Sequence, residues 1–380
     1  MTLSNQSPLF QLPEGKHYLN CAYMSPLLRK AEAAGIAGIQ KKRYPALFRP
    51  EDFFTEPAAV RQLFAQLLQV SPDAVALIPS ASYGLSAAVQ NLPSNAGTHC
   101  LTIAEEFPSG YYSLHHWCRQ HQKDFRVVEA PEGAARGRAW TERILEAINK
   151  DTIALLMSSV HWTDGTRFDL EAIGRRCRET GTWFIVDGTQ SVGAVPIDVQ
   201  ACNIDALVCA AYKWLLGPYA SGLAYYGPRY AAGNPIEQSW MNRSNALNFS
   251  SLVEYTDTYS EGAGRYNTGE FGNFVLVPML QESLLQVLEW TPEAISSYCR
   301  ELSAPLHQAI AAKGWDQEEP EYRSPHITGI RLPADISKDS LLDRIRNRNI
   351  SVSLRGSAIR ISPHLYNTPE DISALIDCLQ

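Results

Sequence analysis

Short apolar runs separated by amphipathic stretches dominate the chain from about residue 57 to residue 226. Runs at 74–78, 98–103, 125–129, 153–158, 184–187, 206–209 and 222–226 are rich in branched and aromatic residues, the pattern of short buried strands. Between the first of them, apolar positions recur every three or four residues and predict helices over 57–68, 83–91 and 111–121. Strands alternating with helices at this spacing predict an α/β protein with a mostly parallel sheet covered on both faces. Ligands of such sheets bind beyond the carboxyl ends of the strands, which is where the loop at Ser80 and the residue Asp187 fall.

After Pro278 the pattern changes. Helices are predicted over 279–290 and from Thr291-Pro292-Glu293, a helix-start signal, to about residue 313. Strand-like runs at 328–332 and 350–362 surround a helix over 341–348, and 369–379 closes the chain as a helix. At the other end, residues 1–19 form an arm, and Pro26 stands near the start of a helical stretch running to Gln40. The expected organisation is therefore an arm and helix over 1–56 that pack with the small domain, a large domain over 57–278 and a smaller α+β domain over 279–380.

The candidate chemistry centres on Lys213. It lies in Asp205-Ala-Leu-Val-Cys-Ala-Ala-Tyr212-Lys213-Trp-Leu-Leu-Gly217, downstream of the strand-like Thr182-Trp-Phe-Ile-Val-Asp187-Gly-Thr-Gln190. A strand that delivers an aspartate at its end, followed one strand later by a lysine in a glycine-flanked turn, fits the needs of pyridoxal 5'-phosphate (PLP). The lysine forms the Schiff base, and the aspartate keeps the pyridine nitrogen protonated so that the ring accepts electrons. The turn Ser80-Ala81-Ser82 opens a helix, whose free N–H groups and positive dipole end suit a phosphate. Arg355-Gly-Ser-Ala-Ile-Arg360-Ile-Ser362-Pro-His364-Leu-Tyr366-Asn367-Thr368, near the end of the chain, is the second strong signal.

These motifs, in this order from Tyr18-Leu19-Asn20 to Asp371, resemble the class V aminotransferase family of fold-type I PLP enzymes. That family includes cysteine desulfurases, selenocysteine lyases, kynureninases and isopenicillin-N epimerases. The resemblance implies a seven-stranded, mostly parallel sheet sandwiched by helices, and a homodimer with shared active sites. It makes Lys213 and Asp187 catalytic. Gln190 is placed to donate to the cofactor's phenolic oxygen, and Phe107 to stack on its ring. Ser80, Ala81, Ser82 and Tyr212 become phosphate ligands, and Arg360 the partner of the substrate α-carboxylate, with Asn20 also on the substrate side. His161 stands where the family has Asn, and its role is open between a cofactor contact and a substrate-side acid or base. Thr268, in a loop that relatives extend into the neighbouring subunit, is a candidate phosphate contact, although Glu270 replaces the usual threonine. Arg355 is left between a structural place and a second carboxylate.

Composition narrows the partners. A net charge of −7 and the absence of a basic stretch argue against nucleic acid. No apolar run reaches the ~18 residues of a membrane span, and the N-terminus lacks a signal-peptide pattern, so a cytoplasmic enzyme acting on a small-molecule amino-acid substrate is expected. The eight cysteines form no C-x-x-C pair, so no metal site is indicated. The resemblance implies, for cysteine desulfurases and selenocysteine lyases, a catalytic cysteine on a loop shortly before the carboxylate arginine. Here the run from Ile350 to Arg360 is short and free of cysteine, so persulfide formation by that route lacks its nucleophile. A PLP enzyme of the aminotransferase type is the leading expectation. Kynureninase-like or β-elimination lyases and an epimerase-like isomerase remain as alternatives, with a non-catalytic relative last.

Overall fold

A computed structural model describes residues 3–133, 135–333 and 336–379. The arm carries strand β1 (His17–Tyr18) and leads to helices α1 (Arg29–Lys41) and α2 (Asp52–Leu68). The helix expected from Pro26 starts only at Arg29, after an extended Leu28 (ψ 140°). Strands and helices then alternate: β2 (Val75–Ile78), α3 (Ala81–Gln90), β3 (His99–Ile103), α4 (Pro108–Gln120), β4 (Asp124–Val128) and α5 (Gly137–Ala147). They continue as β5 (Thr152–Ser158), α6 (Leu170–Thr180), β6 (Trp183–Asp187), β7 (Ala206–Ala210) and β8 (Gly222–Tyr226).

Strands β2 to β8 form one seven-stranded sheet in the order β2-β8-β7-β6-β5-β3-β4. The run from β4 to β7 is parallel, and β8 is antiparallel to both its neighbours. All residues of β3, β5, β7 and β8 are buried, which is why these strands read as unbroken apolar runs. Alternate side chains of β5 feed two cores: Leu155 and Met157 pack with α2, α5 and α6, while Ala154 and Leu156 pack with α3 and α4. The approach of α3 to the sheet depends on Gly84, where a Cβ would sit 2.7 Å from both Ile78 and Val208.

The remaining chain adds α7 (Leu276–Trp290), α8 (Pro292–Ala312), β9 (Thr328–Arg331), α9 (Lys338–Asn347), β10 (Ile350–Ser351), β11 (Ser353–Arg355), β12 (Ala358–Ile361) and α10 (Pro369–Cys378). The single run expected at 350–362 is split into three strands. β10 pairs in parallel with β1, and β11 and β12 form a hairpin that turns at Gly356 (φ +53°) and continues antiparallel onto β9. Asn20 bridges to Ser362, so the arm runs along this second sheet and past the loop of Lys213. Among the described residues no helix is long and apolar enough to cross a membrane, and no cluster of three metal-ligating side chains occurs.

Candidate active site

Lys213 follows β7 in a tight turn. The Leu216 N–H donates to the Lys213 carbonyl (3.2 Å), with Leu216 held at φ +55°, and the Gly217 N–H donates to Ala211 (2.9 Å). The neighbouring Trp214 is fully buried and donates its indole N–H to Gln190 Oε1 (2.8 Å), which fastens this turn to the loop after β6. Lys213 is itself buried. Burial pulls its amine down to about 8 against the attraction of Asp187, and the guanidinium groups of Arg360 and Arg355 add to the drop. An ordinary lysine titrates near ~10.4, so this amine is far more often neutral, and nucleophilic, at neutral pH.

Asp187 ends β6 in register with Ser158 of β5, and its Oδ1 accepts the Thr189 N–H (2.9 Å). Burial raises its pKa, opposed by Thr189 and Lys213. A cavity of about 460 Å³ is lined by Lys213, Asp187, Gln190, Phe107, Tyr212 and the turn Ser80-Ala81-Ser82. At that turn the Ser80 hydroxyl caps α3 by accepting the Tyr83 N–H (3.2 Å) and lies 2.8 Å from the Ser82 hydroxyl. The N–H groups of Ala81 and Ser82 lie in the first turn of α3, where no earlier carbonyl of the helix can accept from them. Phe107, just before α4, presents its ring 5.5 Å from Lys213 Nζ and edge-on to Trp162 (5.4 Å). Gln190 donates its amide N–H to Ala22 (3.1 Å).

An adjoining cavity of about 510 Å³ shares Lys213, Phe107 and Tyr212 and is lined on its far side by Arg355 and Arg360. Arg360 is 1% exposed. Its Nη1 donates to the Trp162 carbonyl (2.6 Å), and its Nε has no partner. Burial lowers its pKa to about 9, with Arg355 adding to the drop.

Three candidates are not brought to either cavity. His161 is fully buried behind the wall, its Nδ1 2.8 Å from the Thr163 hydroxyl and its ring 5.1 Å from Trp140. The chain reverses after β5, with Val160 bridging to Arg167, so Trp162 and not His161 faces the ligand space. His161, expected as a cofactor contact or a substrate-side acid or base, thus lines neither cavity in this structure. Asn20 accepts the Ser353 hydroxyl (2.8 Å) and lines neither cavity. Thr268 reaches Glu237 (3.3 Å) and lies outside both cavities of its own chain.

One neighbour of the site went unread in the sequence. Glu106, between β3 and Phe107, is buried and accepts from the Phe107 N–H (2.6 Å), the Ser158 N–H (2.6 Å) and the Ser158 hydroxyl. Burial and the nearby Asp187 push its pKa up to about 7. Its signal was its place at a strand's carboxyl end, directly before Phe107. Trp162 and Thr189, which line the 460 Å³ cavity itself, had no comparable signal.

The sequence model of one family, Aminotransferase class-V, matches residues 50–375. The chain belongs to that family. Membership makes this class-V protein a PLP-dependent enzyme, and the residues around Lys213 fit the cofactor: a buried amine, a buried carboxylate, a ring face and a helix start at one cavity. Among curated relatives, the uncharacterized aminotransferase YcbU of Bacillus subtilis is 26% identical over 319 residues, covering 83% of this chain and 81% of YcbU. The cysteine desulfurase IscS of Shewanella baltica is 36% identical over a shorter stretch of 129 residues, 34% of this chain and 31% of IscS. Among solved structures, the cystine C-S lyase C-DES in complex with cysteine persulfide superposes with a TM-score of 0.83 at 17% identity, over 96% of this chain and 97% of C-DES. A lysine-to-alanine mutant of C-DES carries glycine covalently linked to PLP and superposes at 0.81 with 17% identity, covering 96% of each chain.

Proposed function

We propose that this class-V enzyme holds an amino acid by its α-carboxylate at Arg360 and removes the α-proton with the amine of Lys213. Bound PLP supplies the electron sink for the charge left on the α-carbon. Arg360 offers a rigid fork from a buried strand, which fixes the α-carbon relative to Lys213 and so selects the bond that is aligned for cleavage. Lys213 is suited to accept the proton because burial pulls its amine down to about 8. Asp187 supplies a carboxylate at the end of β6 for the ring nitrogen, and the first turn of α3 supplies amides for the phosphate. Phe107 covers the ring face and keeps water from it.

The observation that carries this reading is that Lys213 belongs to both cavities, with Asp187 on one side and Arg360 on the other. Proton removal at the α-carbon is the step that transamination, β-elimination, kynureninase-type cleavage and epimerisation share, so the proposal is stated at that level. A scaffold without chemistry has no need to hold all three groups together. We also propose a homodimer. It is supported by the exposure of Tyr23 (53%) and Tyr219 (65%), both at the mouth of the Arg360 cavity, and by the apolar Ile39, Tyr44 and Leu47 left open to solvent. Profiling the purified enzyme against amino acids, with identification of products, tests the function. Turnover is expected with wild type and lost in a folded Lys213→Ala variant; equal turnover in the variant removes Lys213 from the chemistry.

A further inference from the structure

Arg355 and Arg360 stand on one hairpin and on one face of it. In the register of β11 against β12, Arg355 faces Ala358 and Ser353 faces Arg360. Directly opposed residues of an antiparallel pair point to the same side, as do residues two apart on one strand. The cavity face of the hairpin is therefore Ser353, Arg355, Ala358 and Arg360, two guanidinium groups with only small side chains beside them. As diagonal neighbours their backbones are roughly 7–8 Å apart, a spacing for two recognition points on one small ligand.

Neither arginine has a carboxylate within ion-pair distance among the described residues, and no acidic side chain lines this cavity. The contrast with Arg136 is direct, since that buried guanidinium is neutralised by Asp164 at 2.8 Å. Arg355 makes one hydrogen bond, from Nη1 to the Leu354 carbonyl (2.8 Å). Its guanidinium lies 5.8 Å from the ring of Tyr23 and 6.0 Å from that of Trp162, aromatic walls that restrain its position without neutralising it. The edge formed by its Nε and Nη2 is left for a ligand. With Arg360 this makes two guanidinium groups at one cavity, a field that attracts a ligand of more than one negative charge.

We infer that Arg355 forms a second anion subsite, and that the substrate is an amino acid whose side chain carries a second carboxylate. The inference deepens the proposed function and rests on Arg360 holding the α-carboxylate. A carboxylate is favoured over a phosphate because Arg355 presents one planar, two-donor edge with aromatic neighbours. A phosphate site gathers several donors around its oxygens. A substrate with one carboxylate leaves Arg355 unmatched, so discrimination comes from the second group, not from the chemistry at the α-carbon.

The test uses ligands that cannot react. Calorimetric titration of the holoenzyme with succinate, glutarate and adipate, against butyrate and pentanoate, reads binding without turnover. At least one dicarboxylate is expected to bind about ten- to a hundredfold more tightly than the monocarboxylates, the worth of a hydrogen-bonded charge pair. Arg355→Gln should erase that preference, and Arg355→Lys should restore part of it. Equal binding of the two series by wild type, or a preference that survives Arg355→Gln in a folded variant, overturns the inference. Tighter binding of phosphonate analogues than of any dicarboxylate overturns the choice of carboxylate. The two proposals fail separately. If Lys213 carries the cofactor but dicarboxylates gain nothing, only the subsite falls; if Lys213 is not the linked residue, the proposed function falls whatever the dicarboxylates do.

Discussion

Replacing Arg360 by lysine keeps the charge at β12 and removes the fork. Arg360 has Nη1 committed to the Trp162 carbonyl and an Nε with no partner in the protein, and the proposed substrate carboxylate would supply the missing acceptor. A hydrogen bond to a charged group contributes roughly 1.5–3 kcal/mol. Losing one of two at about 1.4 kcal/mol per decade predicts a fall of about ten- to a hundredfold in kcat/KM for amino-acid substrates. A lysine that also lets Trp162 move enlarges the loss, because Trp162 walls both cavities. The assay compares wild type and Arg360→Lys on the amino acid found by profiling and on the corresponding amine without its carboxylate. The amine should show little difference between the two proteins, and the cofactor content should be the same. If Arg360→Lys loses PLP, or leaves amino-acid kinetics untouched, Arg360 is a structural residue and the assignment of the α-carboxylate is wrong.

Two further outcomes follow from buried groups. All eight cysteines are buried and unpaired, and none lines either cavity. Cys21, whose thiol lies 3.9 Å from the Lys213 carbonyl, is pushed up to about 12 by burial, so it is not a thiolate at neutral pH. Replacing any one cysteine should leave turnover largely intact; a single substitution that abolishes sulfide release from cysteine in a folded protein revives the desulfurase alternative. Burial also pulls His326 and His364 down to about 3. Unfolded histidine titrates near ~6.5, so between those values the unfolded chain takes up protons that the native state refuses. Stability is then full above about 6.5 and falls as pH drops toward 3. The urea midpoint should decline from pH 7.5 to pH 5.5, and less steeply in His364→Phe; an unchanged slope in that variant contradicts the assignment.

The strands, and the gathering of Lys213, Asp187, Phe107 and the Ser80 turn at one cavity, were legible because their physics is local. A strand buried on both faces must be apolar throughout, so β5 and β7 stand out, and the chemistry at Asp187 and Lys213 sits at strand ends by topology. Helices α5 and α6 were not read. In α6 the buried stripe is only Ile173, Gly174 and Cys177, set among arginines and glutamates. Gly174 is there because a Cβ would run into the Cys202 carbonyl, a close approach that hydropathy does not record. The position of His161 behind the cavity wall has a similar origin. A turn after β5 decides which of two adjacent side chains faces inward, and that choice is made by packing against Trp140 and by Arg136, Thr163 and Asp164. Glu106 was passed over because its three donors come from Phe107 and from Ser158, which is remote in sequence.

The central claim is that Lys213 is the residue to which the cofactor is joined. Reducing the purified protein with borohydride and mapping its peptides by mass spectrometry measures this directly. The account predicts one modified peptide, the one containing Lys213, carrying the mass of reduced PLP, and no such peptide from Lys213→Ala. Modification at another lysine, or the same yield of trapped cofactor from the variant, contradicts it.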